Sequence, residues 1–93
     1  MSYYTGDDVG LVVVATLNGN SASLVSATCT VWLPNGTKTV DAAVATISGS
    51  RASYLLAGSK TATAGIYTYG FSCVFPGGYG TLSIKNTLTV EVF

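Results

Sequence analysis

Ninety-three residues, with four Lys or Arg against four Asp or Glu and no His, describe one small domain with no net field to attract nucleic acid or anionic lipid. Hydrophobic residues make up 48% of the chain and charged residues only 9%. The usual charged share is about 25%, so both disorder and a solvated helical bundle are excluded, and the missing His removes the commonest general base and metal ligand.

In chain order, residues 1–8 read as an N-terminal arm and residues 9–93 as a single β-sandwich domain. Tyr3 and Tyr4 precede the first strand in a segment too short to form a strand pair of its own. Two readings stay open for them, an arm that packs on a neighbouring chain and a lid over the domain's own core. Asp7 and Asp8 follow, where a signal peptide would carry positive charge, so export is not expected. Adjacent residues of an extended chain point to opposite faces, so this carboxylate pair reads as a solvated turn, with a weak cation site made with backbone carbonyls as the alternative.

The run Val9 to Ala15 is far shorter than the ~20 residues that span a bilayer and reads as the start of a strand reaching Leu17. It is too continuously apolar for one wet face, so it is either covered on both sides or meets a partner. Asn18-Gly19-Asn20 supplies the positive φ of a tight turn, and a second strand runs from Ala22 to Leu33. Pro34-Asn35-Gly36-Thr37 closes it, Pro presetting the first corner and Gly taking the left-handed position.

From Lys38 to Ile47, Val40, Ala42, Val44 and Thr46 alternate with Thr39, Asp41, Ala43 and Ala45. The alanines would also suit a helix, but no capping box or i, i+4 charge pair accompanies them and the β-branched neighbours favour strand. After Ser48-Gly49-Ser50 the return strand is Arg51 to Leu56, and Gly58 to Gly65 is turn-like. A long hairpin ends the chain: Ile66 to Phe75, the Pro76-Gly77-Gly78-Tyr79-Gly80 turn, and Thr81 to Phe93, with a bulge or bend expected at Lys85-Asn86. The sum is an all-β, antiparallel sandwich of seven or eight strands with no helix longer than two turns.

The titratable inventory is short, and no catalytic triad can be assembled from it, so no catalytic residue, metal site or cofactor is expected. The glycines at 77, 78 and 80 lack the Lys and following helix of a phosphate cradle. Cys29 and Cys73 fall on the second and penultimate strands, where two packed thiols and an inter-sheet disulfide both remain open; two thiolates alone do not close a zinc shell. Trp32 lies on the face opposite Cys29 and is either core or an interface anchor. Tyr67, two residues after Gly65 at the entry to a strand, stands where a tyrosine corner ties a strand back to its preceding loop. Tyr69, Phe71, Cys73 and Phe75 share its parity as an inter-sheet row. Tyr79, in the last turn, joins Tyr3, Tyr4 and Trp32 as a candidate interface residue.

Gly6-Asp7-Asp8-Val9, Ser26-Ala27-Thr28-Cys29-Thr30 followed by Leu33-Pro34-Asn35-Gly36, and Thr61-Ala62-Thr63-Ala64-Gly65-Ile66-Tyr67 before a long final hairpin resemble accessory domains of tailed-phage virions. Their relatives in kind are the immunoglobulin-like domains of capsid decoration proteins, head fibres and upper baseplate proteins. The resemblance implies an immunoglobulin-like, non-catalytic structural protein, made in the host cytoplasm and carried on the virion. Its implied partners are the major capsid protein or a tail or fibre protein and further copies of itself, as a homotrimer, with no nucleic acid or membrane. The lack of a fibre segment shifts the expectation from a baseplate or tail-fibre attachment domain toward a small head protein. An extracellular bacterial adhesin module is the alternative, and it requires export and a Cys29–Cys73 disulfide.

Overall fold

A computed structural model describes residues 2–78 and 80–93. Among them are ten strand segments: β1 (Ser2–Tyr4), β2 (Val9–Val14), β3 (Thr16–Leu17), β4 (Asn20–Ser21), β5 (Ser26–Trp32), β6 (Lys38–Val44), β7 (Thr46–Ser48), β8 (Arg51–Leu56), β9 (Gly65–Val74) and β10 (Thr81–Glu91). Two single 3-10 turns, Gly58–Lys60 and Pro76–Gly78, are the only helical residues described. One sheet has the order β1-β10-β9-β5-β6 and the other β2-β8-β7, while β3 and β4 form a small hairpin of their own. The fold is all-β.

Local chemistry accounts for the turns. Asn18 and Gly19 both hold positive φ, 53° and 81°, so a two-residue loop joins β3 to β4 with a twist that suits its strands. At the end of β5 the Gly36 amide donates to the Leu33 carbonyl at 2.9 Å and the Asn35 side chain accepts from the Thr37 amide at 2.9 Å. Gly36 takes φ 89° there, the left-handed position that completes the turn.

The two sheets meet over one core. Val9, Leu11 and Val13 of β2 and Ala52 and Leu56 of β8 cluster with Ala27, Cys29, Val31, Tyr67, Tyr69, Phe71, Cys73, Leu88 and Val90 of the larger sheet. Each large apolar side chain removed from water there contributes about 1.5–3 kcal/mol. β2 alternates strictly between buried and exposed residues, so its valines are not covered on both sides. Val9, Leu11 and Val13 enter the core and Val12 and Val14 face outward.

Tertiary pairing departs from the sequence expectation in five places. Residues 2–4, read as part of an arm that either packs on a neighbouring chain or lids the domain's own core, lie parallel to β10, Tyr3 beside Val90 and Tyr4 beside Glu91. The last strand leaves its outer edge open, and a short segment can close it only by pairing with the chain's own C-terminal strand. Cys29 and Cys73, placed on opposing sheets in the disulfide reading, sit on neighbouring strands of the same sheet. Cys29 is opposite Phe71 and Cys73 opposite Ala27, so the thiols are diagonal neighbours and both are free. Diagonal Cβ atoms about 7 Å apart exceed the ~4 Å a disulfide needs.

The remaining three departures concern register. No bulge stands at Lys85-Asn86, where a bulge or bend was expected: β10 pairs with β9 without a shift from Thr81 to Val90. The irregularity lies between β5 and β6, where the register shifts on both sides of Val31. There Ala42 adopts φ 50° and its amide donates to the Thr30 hydroxyl at 3.1 Å. The alternation read along Lys38 to Ile47 therefore flips, leaving Val40 buried but Ala42 and Val44 exposed. Finally, the chain changes sheets at buried Ala45, whose amide bonds the Ala27 carbonyl at 3.0 Å, so one expected strand becomes β6 and β7. That split, together with the break of the first strand at Ala15 and the added segments β1 and β4, turns the six strands placed along the sequence into ten, against the seven or eight expected.

Candidate interaction surface

Two of the residues assigned structural roles, Tyr67 and Gly65, sit at one corner. Tyr67 is fully buried and its hydroxyl donates to the Thr63 carbonyl at 2.6 Å. Gly65 opens β9 with φ 140°, and a Cβ there would lie 2.6 Å from Cγ of Pro34. The Pro34 turn thus packs flush on the entry to β9, and only a residue without a side chain fits between them.

A second corner joins the N-terminal segment to the loop after β8. Asp7 accepts the Tyr4 amide at 2.9 Å and Asp8 accepts the Gly58 amide at 2.6 Å. Buried Thr61 donates to the Asp7 carbonyl at 2.8 Å. Both carboxylates therefore accept from backbone amides at turns instead of converging on one point. Among the described residues no three His, Cys, Asp or Glu side chains are grouped to hold a metal ion.

Burial sets the remaining acid–base properties. It pushes the Cys29 thiol up to about 11 and raises Cys73 as well, so both stay protonated and unreactive near neutral pH. Tyr69 is raised by burial first and then by the neighbouring Tyr3 and Cys29. Its ring meets Phe71 edge-on, centroids 6.3 Å apart.

The interface candidates are scattered. Trp32 lies half-buried on the outer face of the larger sheet, over Gly70, with the Lys85 ammonium 4.6 Å from its ring centre. Thr28, Thr30, Ser72 and Ser83 complete a shallow groove beside it. Tyr3 packs on the core, while Tyr4 is half-exposed and meets Phe93 edge-on at 5.8 Å. Tyr79 lies outside the described residues.

A further group of exposed apolar residues lies on the outer face of the β2-β8-β7 sheet. Val12 (48% exposed), Val14 (49%) and Leu55 (64%) project from it, with Val44 (85%) beside them at the sheet change. Gly10, Val12, Val44, Thr46, Ser53 and Leu55 line one shallow groove. Arg51 is the sole charged residue on the three strands. The Val9 to Ala15 run had signalled part of this face in the sequence. Leu55 could have been found by the parity of Arg51, Ser53 and Leu55, but Val44 could not, because the flip at Ala42 reverses its face.

Among the described residues no helix is long and apolar enough to cross a membrane. Comparison with family models, curated proteins and solved structures finds no match.

Proposed function

We propose that this chain is a structural virion protein, an immunoglobulin-like β-sandwich module that decorates or cements a bacteriophage capsid by protein–protein contact and performs no catalysis. The single observation that carries the binding role is the outer face of β2-β8-β7, where Val12, Val14, Val44 and Leu55 are exposed around one charge. A free-standing domain normally dresses such a face with Lys and Glu, and a contiguous apolar patch marks a contact surface.

The immunoglobulin-like assignment draws support from the strand order, in which the chain passes from β6 to β7 across the two sheets, and from the Tyr67 hydroxyl tied to the loop before its strand. The virion assignment draws on the resemblance of the Gly6–Val9, Ser26–Thr30 and Thr61–Tyr67 segments. Two buried free thiols suit synthesis in a reducing cytoplasm and weigh against the exported adhesin, which relies on a bridge between them.

Quantitative mass spectrometry of gradient-purified particles encoded by the same genome tests the reading. The expected result is this chain at a fixed copy number on the head; recovery with tails alone points to the baseplate or fibre role, and absence from particles overturns the proposal.

A further inference from the structure

The sheet edges are treated unequally. β1 and β7 are edges of three residues each, too short to template a partner. β6 carries Lys38 and Asp41, paired at 3.5 Å, and is interrupted by the left-handed Ala42. These are the usual means by which an open edge is blunted: shortness, charge and a local kink. β2 has none of them. It is terminal in its sheet and runs six residues, Val-Gly-Leu-Val-Val-Val, in unbroken register with β8 and without charge or proline. Alternate residues of such a strand direct their N–H and C=O groups away from β8, toward an absent neighbour.

We propose that β2 pairs antiparallel with β2 of a second copy of this chain, joining two three-stranded sheets into one of six. Three features make the strand complementary to itself. Centring the pair on Val12 keeps inward residues opposite inward ones and sets Gly10 against Val14 of the second copy, so the smallest outward residue meets a branched one. No charge is buried along the strand. Its ends are of opposite sign, with Asp7 and Asp8 ahead of Val9 and Arg51 beside Val14. Antiparallel pairing brings each copy's acidic end to the other's basic end, twice by symmetry, whereas parallel pairing would stack like on like. The dimer also sets two copies of Val12, Val14 and Leu55 side by side, doubling the apolar face, although the pairing holds whatever that face contacts.

A six-residue edge lies at the low end of interface size, so the association is weak and concentration-dependent. Sedimentation equilibrium of the full chain should show a monomer–dimer equilibrium. Val12→Lys should raise its Kd by about tenfold or more, while Val44→Lys, on the same face but off the edge, should leave it unchanged. If Val12→Lys does not fold, hydrogen exchange of the unaltered protein decides: amides of alternate β2 residues should slow as concentration rises, with those of β6 indifferent. A monomer at all concentrations, a trimer, a dimer that Val12→Lys leaves intact, or β2 exchange independent of concentration overturns the proposal. Particle binding absent in the unaltered chain, or untouched in Val44→Lys, with the dimer retained counts against the capsid reading alone, so the two proposals fail separately.

Discussion

The Tyr67 hydroxyl donates to the carbonyl oxygen of Thr63, four residues upstream, at 2.6 Å. The bond fixes the loop's approach to β9 and satisfies a carbonyl in the only crossing that leads from β8 back to the larger sheet. Tyr67→Phe keeps the ring in the core and strands that carbonyl, so it should cost about 1–2 kcal/mol in urea unfolding. Tyr54→Phe, whose ring is half-buried but whose hydroxyl makes no such bond, should stay within about 0.5 kcal/mol.

Gly65 and Gly36 both hold positive φ, but they differ in space. A Cβ at Gly65 meets two carbons of Pro34, at 2.6 and 2.9 Å, whereas a Cβ at Gly36 meets nothing within 4 Å. Gly36→Ala should therefore cost about 1 kcal/mol of backbone strain, and Gly65→Ala about 2–3 kcal/mol because the Pro34 turn must also move. Thermal unfolding of the two variants side by side checks the order.

Removal of residues 1–6 tests the placement of β1. It deletes a strand of the larger sheet, uncovers Val90 and takes Tyr3 from the core edge. A loss of about 2 kcal/mol or more is expected, lowering Tm by roughly 8 °C or more for a domain of this size. A free arm would instead leave Tm unchanged.

Burial raises Cys29 to about 11 from 9.0. Because the unfolded thiol ionises first, the unfolded chain binds fewer protons between those values and stability falls as pH rises from about 9 through about 11. Below pH 9 the contribution is fully present. Urea midpoints of the Cys29→Ala variant should decline less across that window than those of the unaltered chain. Neither Cys29 nor Cys73 should react with a thiol reagent at neutral pH until the protein unfolds.

The turns and the two faces of β5 were legible in the sequence because they depend on local backbone chemistry. Asn18-Gly19 and Pro34-Asn35-Gly36 require positive φ at particular residues, and a period of two places Trp32 on the face opposite Cys29 whatever the strand pairs with. Only the tertiary structure decided which strands meet. Residues 2–4 gain a place by pairing with β10, almost the whole chain away, and Cys29 and Cys73 share a sheet because β5 lies beside β9. Ala42 turns left-handed to suit Thr30 across the sheet, which exposes Val44. The exposed apolar face at Val12, Val14, Val44 and Leu55 depends on that flip and on β2 ending its sheet. Both arise from hydrogen-bond partners distant in sequence, and local periodicity carries no record of them.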